Sequence, residues 1–411
     1  PAFGVSRGAG RDYLANLQSR GSLTGCRIMA MGPGSREFCI KATAEAIDAV
    51  HVTSDTPLQG LFDACVLFEV LGENDHPAEQ LKVIREHLIP DGLLLLTLLM
   101  LDSPEARAKR SRWMGFRSNR TAFFDTHNLS TLLVRSGFCD IVNWPEPDGA
   151  SFLCRKAQLD RPVRLSIVLP VYNERATFED LISTVLGKTF ENLEREIIIV
   201  ESNSTDGSRE IVQRYECYPE IKVIYEEEPR GKGHAVRTGL NHATGNIILI
   251  QDADLEYDIE DYDALLEPIV SQQKLFVLGS RHMGSWKMRK FEDRKILSAI
   301  FNFGQVFFTW LINVTCGVRL NDPFTMYKVF HRECLYGLQL QSNRFDLDWE
   351  IVIKFIRKGF VPLEIPVNYT SRSFGEGKKV RPILDPVLWI AALLKFRYGS
   401  LYSTEENQNH D

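Results

Sequence analysis

Two aspartates one residue apart, Asp252 and Asp254, follow the apolar run Asn246 to Ile250, and Glu256 stands two positions further on. In an extended chain residues i and i+2 share a face, so the two carboxylates can converge on one hard divalent cation. The same spacing also serves an ordinary solvated turn, because aspartate favours turns. The surroundings of the pair decide between these readings.

Three other polar clusters close apolar runs in the same half of the chain. Pro170-Val171-Tyr172-Asn173-Glu174 follows Leu165 to Leu169, offering a ring that can cover a base and a carboxylate that can accept from ribose or base. Glu201-Ser202-Asn203-Ser204-Thr205-Asp206-Gly207-Ser208 follows Glu196 to Val200, where Asp206 or Ser208 can also cap the next helix. Pro229-Arg230-Gly231-Lys232-Gly233 follows Ile221 to Tyr225 and enters a helical stretch. Its glycines permit close backbone approach, and amides at such a helix start can face an anion.

These clusters need elements to hold them, and the pattern supplies β-strands alternating with helices. The helical stretches are Thr177 to Gly187, Ser208 to Tyr215 and Gly233 to His242. Alternation of this kind implies a parallel or mixed sheet, whose ligand sits beyond the carboxyl ends of the strands. An earlier segment repeats the logic. Runs at Arg27 to Met31, Ala49 to Thr53, Ala64 to Leu71 and Leu93 to Met100 alternate with helices at Arg36 to Ile47 and Pro77 to His87, which predicts a mostly parallel sheet. The chain is therefore read as α/β in two domains, residues 1–156 and 163–402, with a polar flexible tail at 403–411.

Bulk composition narrows the partners. The 411 residues are 44% hydrophobic and 25% charged, with a net charge of -6, so nucleic acid is not expected as a partner. The eight cysteines are scattered without metal-finger spacing and read as small core residues of a reducing compartment. The run Ile296 to Val318 is long but carries two Asn, a Gln, two Gly and two Thr, and follows Arg289, Lys290, Arg294 and Lys295. It reads as one or two helices lying in a headgroup region, or as an ordinary core helix pair.

From Leu165 to Gly399 the chain resembles glycosyltransferase family 2. The resemblance is carried by Val168-Leu169-Pro170-Val171-Tyr172-Asn173-Glu174, Ser204-Thr205-Asp206-Gly207-Ser208, Gly231-Lys232-Gly233, His242-Ala243-Thr244-Gly245, Asp252-Ala253-Asp254-Leu255 and Gly279-Ser280-Arg281. It continues through Asp322-Pro323-Phe324-Thr325, Glu364-Ile365-Pro366-Val367 and Arg372 to Lys379. Within the family it looks most like the polyprenyl- or dolichyl-phosphate hexosyltransferases. Those are inverting enzymes of GT-A fold that move a sugar from a nucleotide diphosphate to a lipid phosphate.

The resemblance implies roles for particular residues. Asp252, Asp254 and Glu256 match the metal and donor-diphosphate site. Pro170, Tyr172, Glu174, Glu201 and Lys232 match donor-binding positions. Arg281, Arg294 and Ser298 match an acceptor-phosphate site, and Arg281 is also placed among the catalytic groups. Arg372 and Lys378 match a basic loop over the donor phosphates. Asp348 and Glu350 match the acidic motif near the acceptor. One of them takes a proton if the acceptor is a hydroxyl, and no base is needed if it is a phosphate. Glu350 can alternatively cap or pair on the helix running to Lys358, and Arg281 and Arg294 can be surface ion pairs. In one place the chain departs from the family. Where Asp-Asp-Gly-Ser is usual after the second strand, Glu201-Ser202-Asn203-Ser204 stands here, so the base-reading carboxylate is Ser202 and the choice of UDP or GDP is open.

Residues 23–145 resemble the class I methyltransferases that bind S-adenosylmethionine, best at Phe62 to Leu71, Ile89-Pro90-Asp91-Gly92-Leu93 and Ser136-Gly137-Phe138. The glycine loop is Gly32-Pro33-Gly34-Ser35-Arg36, with arginine at the third glycine and Ala30 where an acid is expected; Asp55 is the candidate ribose carboxylate. Such a turn needs glycine whether or not it binds a cofactor. S-adenosylmethionine is not expected to bind, and the domain is read as degenerate, serving packing, dimerisation or acceptor positioning. The combined expectation is a metal-dependent hexosyltransferase, peripheral on the cytoplasmic face of a membrane, using a UDP- or GDP-sugar and a lipid-phosphate acceptor. The oligomeric state is open, a homo-oligomer included. The alternatives are a bifunctional glycosyltransferase and methyltransferase, or a non-catalytic scaffold.

Overall fold

The computed structural model describes residues 13–53, 58–117, 120–157, 163–190, 193–281, 295–370, 384–399 and 401. It divides into two compact units, Pro1–Arg161 and Pro162–Asp411.

The first unit runs α1 (Tyr13–Gln18), β1 (Arg27–Met31), α2 (Ser35–Ala44), β2 (Asp48–Val52), β3 (Phe62–Phe68), α3 (Pro77–Glu86), β4 (Leu88–Leu99), α4 (Pro104–Lys109), α5 (Thr126–Arg135), β5 (Phe138–Pro145) and β6 (Gly149–Lys156). Its six strands lie in the order β2-β1-β3-β4-β6-β5. The first four are parallel, whereas β6 runs antiparallel to both β4 and β5. The expected mostly parallel sheet is thus a mixed one. The cause is local: β5 and β6 are joined by a tight turn in which the Glu146 amide donates to Gly149 O at 2.8 Å, and so short a connection forces antiparallel pairing. Ile28, Ala30, Ala64, Val66, Leu95 and Leu153 form the buried centre of this unit.

The second unit runs β7 (Arg164–Val171), α6 (Phe178–Gly187), β8 (Glu194–Glu201), α7 (Ser208–Gln213), β9 (Ile221–Tyr225), α8 (Lys232–His242), β10 (Ile247–Ile250), α9 (Tyr262–Val270), β11 (Phe276–Ser280), α10 (Lys295–Cys316), β12 (Lys328–His331), α11 (Leu347–Lys358), β13 (Leu363–Pro366) and α12 (Leu384–Tyr398). Its seven strands are ordered β13-β11-β12-β10-β7-β8-β9. Only β12 runs against the rest, antiparallel to β10 and β11. The central strand β10 is buried along its whole length between β7 and β12, which is why it reads as an unbroken apolar run. Each such isoleucine or leucine contributes about 2 kcal/mol by leaving water. Helix α8 lies close on the sheet through Gly239, where a Cβ would come within 2.4 Å of Val168 Cγ1. These contacts fix the carboxyl ends of β7, β8, β9 and β10 in one row.

Segment 296–318, read as one or two helices, is the single helix α10 followed by a turn. Among the described residues no helix is long and apolar enough to cross a membrane.

Candidate active site

The loops after β7 and β8 are built on each other. Asn173 and Asn203 both adopt left-handed backbone, at φ 55°, a conformation asparagine tolerates better than most residues. Asn173 Oδ1 accepts from the Thr205 amide at 2.9 Å, and the Asn173 amide donates to Ser204 Oγ at 3.0 Å. Asp206 accepts from the Arg175 amide at 3.0 Å and from Ser208 Oγ at 2.6 Å. Burial raises its affinity for a proton, but these hydrogen bonds outweigh it and hold the carboxyl below the ordinary range. Tyr172 and Glu174 are therefore presented half-buried on a braced loop, with Pro170 buried beneath in β7.

Glu201 has a different position from its neighbours. It is wholly buried at the end of β8, accepts from the Ser204 amide at 2.7 Å and faces Arg209 Nε at 3.4 Å. The structure shows it bracing its own loop, whereas the family resemblance placed it against the nucleotide.

The glycine-rich entry to α8 also has a cause within the chain. A Cβ on Gly231 would meet Asn343 O at 2.4 Å, and one on Gly233 would meet Arg344 O at 2.6 Å. The His234 amide donates to Asn343 O at 3.1 Å. These glycines admit the backbone of residues 342–344, and an amide expected to face an anion faces that carbonyl.

Lys232, between them, reaches the aspartate pair. Its Nζ lies 2.5 Å from Asp252 Oδ1, an ion pair. Burial works against the ammonium, but Asp252 and Asp348 prevail and raise it above the ordinary lysine range. Asp254 Oδ1 accepts from the Glu256 amide at 3.2 Å, and the Glu256 carboxylate accepts from Tyr369 Oη at 2.6 Å. Asp252 and Asp254 are hard oxygen donors of the kind Mg2+ or Mn2+ takes, and Lys232 holds one oxygen of Asp252. Glu256 is turned toward Tyr369.

Asp348 and Glu350, two residues apart on α11, have opposite surroundings. Asp348 Oδ1 takes Lys328 Nζ at 2.8 Å and lies in the electrostatic field of Lys232 and Asp252. Burial pushes the Asp348 carboxyl above its ordinary range and the Lys328 amine below its own, against their mutual attraction. Glu350 is fully buried, accepting from the Gln341 amide at 2.9 Å, the Ser342 amide at 2.7 Å and Lys354 Nζ at 2.6 Å. Of the two acids proposed for proton transfer, Glu350 holds a loop and pairs along its helix. Asp348 is the one that adjoins the aspartate site.

Arg281 ends β11 and grips Asp322 in a fork, Nε to Oδ2 and Nη2 to Oδ1, both at 2.7 Å. Asp322 is fully buried, and its own amide donates to Glu364 Oε1 at 2.6 Å. Burial disfavours the guanidinium charge, but Asp322 more than restores it. This is a buried pair, not the surface salt bridge the sequence allowed. Arg294, Arg372 and Lys378 lie outside the described residues, as does the side chain of Ser298 in α10; Asp55 of the first unit is likewise outside them.

Sequence reasoning missed Lys328, Glu226 and His234, and gave Asp322 no role. Lys328 had a signal, a lysine inside the apolar strand that borders β10, where a buried cation must find an acid.

With this geometry in view, comparison with known proteins gives a family. Residues 166–336 match the profile of Glycosyl transferase family 2. The second unit contains a family 2 glycosyltransferase domain. Its mixed sheet, with β12 alone reversed, agrees with the α/β class expected of this segment. Residues 6–141 match a Methyltransferase domain profile, so a transferase domain follows a methyltransferase-like one. The dolichol-phosphate mannosyltransferase of Pyrococcus furiosus is 27% identical over 237 residues, covering 57% of this chain and 64% of that protein. A dolichyl-phosphate beta-glucosyltransferase of Trichomonas vaginalis is 30% identical over 223 residues, covering 51% and 66%. The chain thus spans just under two thirds of the length of these two relatives. Among solved structures, glucosyl-3-phosphoglycerate synthase from Mycobacterium tuberculosis matches at 19% identity and a TM-score of 0.41, covering 57% of this chain and 80% of that one.

Proposed function

We propose that the protein is a metal-dependent, inverting hexosyltransferase that uses a UDP- or GDP-sugar and a polyprenyl phosphate acceptor at the cytoplasmic face of a membrane. The observation that carries this reading is the convergence of Lys232, Asp252 and Asp348 beside Asp254 at the carboxyl edge of the sheet. A divalent cation on Asp252 and Asp254 would neutralise charge on the leaving diphosphate. Were Asp252 to hold that cation, Lys232, held cationic beside it, would be placed to take a donor phosphate oxygen. An acceptor phosphate oxygen then forms the new bond to the sugar anomeric carbon as the bond to the diphosphate breaks, with inversion, and the nucleotide leaves with the electron pair. A phosphate oxygen brings its own charge, so no base is required. Asp348, kept in place by Lys328, adds to the field that holds Lys232 cationic.

The lipid acceptor is supported by the names of the relatives and by two apolar stripes. Helix α10 exposes Phe307, Trp310 and Val314, and α12 exposes Ile390 and Leu394, while their inner faces pack with Trp349 and Ile353 of α11. Stripes of this kind suit the headgroup boundary of a bilayer. The test is transfer of labelled sugar from UDP-glucose and GDP-mannose, with Mn2+, to dolichyl phosphate in anionic vesicles, followed by organic extraction. Labelled lipid with either donor is the expected result. Transfer that is equally fast to a water-soluble hydroxyl acceptor without vesicles would overturn the lipid-phosphate part.

A further inference from the structure

The strand ends beyond the aspartate site carry a polar unit that the proposed reaction does not yet use. Val171 of β7 pairs with Glu201 of β8, which pairs with Tyr225 of β9. The next residue of each strand, Tyr172, Ser202 and Glu226, therefore stands in one row past the carboxyl ends. On the other side of β7, the Gln251 amide donates to Val168 O at 3.0 Å and leads into Asp252. From β10 to β8 is two strand spacings, roughly 10 Å. A nucleotide whose phosphates lie at Asp252 would span that distance with its ribose over β7 and its base beside Ser202.

Ser202 does not stand alone there. Its hydroxyl donates to Glu226 Oε2 at 2.6 Å, and the other oxygen of Glu226 meets His234 Nδ1 at 2.6 Å. Ser202 is 4% exposed and Glu226 8%. A serine has one proton to give. With that proton held by a carboxylate, Ser202 Oγ offers lone pairs only and carries the polarisation of the acid behind it. The carboxylate missing from position 202 is supplied one strand further out, through the serine.

We infer that Glu226, acting through Ser202, is a specificity-determining residue that selects a donor base with a ring N–H, uracil or guanine, over one with an unprotonated ring nitrogen, cytosine or adenine. The inference rests on the nucleotide-donor reading above. Uracil N3–H and guanine N1–H can donate to Ser202 Oγ. In the same placement cytosine N3 and adenine N1 would set lone pair against lone pair, and only a base shifted to present its exocyclic amine could donate to Ser202 Oγ. Glu226 touches no substrate atom in this arrangement, so it is a positioning residue.

The experiment is calorimetric binding of UDP, GDP, CDP, ADP and inorganic pyrophosphate, each with Mn2+, to the full chain and to E226A and S202A. The wild type is expected to bind UDP or GDP at least tenfold more tightly than CDP and ADP. E226A frees the serine proton, and the preference should collapse to within about threefold while pyrophosphate affinity is unchanged. Retention of the tenfold preference by E226A with intact pyrophosphate binding would overturn the inference. S202A decides in the same way should E226A lose pyrophosphate binding through misfolding. A wild type that binds pyrophosphate and all four nucleotides alike removes this inference and leaves the metal site standing. A wild type that binds none of the five ligands removes both.

Discussion

At the carboxyl edge of the first unit's sheet the polar groups pair off locally, whereas near the corresponding edge of the second unit a lysine and two aspartates share one field. In the first unit, Arg120 pairs with Glu69 at the end of β3, and Glu69 also accepts from the Leu99 amide at 3.2 Å. Ser35 Oγ lies 2.8 Å from His51 Nδ1, tying α2 to β2. A Cβ on Gly32 would fall 2.0 Å from Phe68 O, so the glycine turn is pressed against the end of β3. In the second unit, Lys232, Asp252 and Asp348 share one field. Two sheets of similar construction therefore differ in what their edges can do. On the proposed reading, local pairs serve stability and convergent charge serves binding.

The comparison can be broken most sharply at Asp254. Asp254→Ala is expected to lower sugar transfer by at least about a thousandfold with the melting temperature retained. Unchanged transfer would show that the second edge is no more chemical than the first. Glu69→Ala should act the other way. Leaving Arg120 uncompensated in a buried place costs about 3 to 5 kcal/mol in urea unfolding, while transfer per folded molecule stays as in the wild type.

A third expectation concerns pH in the second unit. Burial and the neighbouring Arg332 lower His331 from 6.5 to about 4, and its Nδ1 accepts from the Glu333 amide, which requires the neutral ring. Between these values the unfolded chain binds more protons than the folded one, so stability rises with pH. The contribution is complete above about pH 6.5 and is lost as pH falls toward 4, on the order of 2 to 3 kcal/mol. Urea melts from pH 7 to pH 4 should show this slope, and His331→Gln should flatten it; an equal slope in the variant would assign the effect elsewhere. The smallest effect is expected from S-adenosylmethionine, which should give no binding heat at millimolar concentration if the first edge is closed. A measurable affinity would make the two edges alike in binding a ligand.

Much of the fold was legible because buried strands announce themselves. Ile247 to Ile250 and Ile197 to Val200 are unbroken apolar runs, and polar clusters mark where each chain segment leaves the sheet. The hairpin of β5 and β6 was not read, because its alternation is mixed with polar residues and its tight turn decides the pairing. Motif spacing located Asp252, Asp254, Lys232 and Asp348 in the chain without showing that Lys232 shares a field with Asp252 and Asp348. Nor could it separate Asp348 from Glu350. The two differ by two positions on one helix, about 200° around its axis, so one meets Lys328 and the other the amides of residues 341 and 342.

The sequence by itself determined that the chain has two α/β segments and that the second ends its strands in residues able to hold a cation and a phosphate. Those properties follow from local periodicity and residue chemistry. Only the tertiary structure decided which neighbour each acid meets. Glu201, Glu350 and Ser202 acquire their meaning from Arg209, Lys354 and Glu226, whose proximity depends on strand register and helix packing.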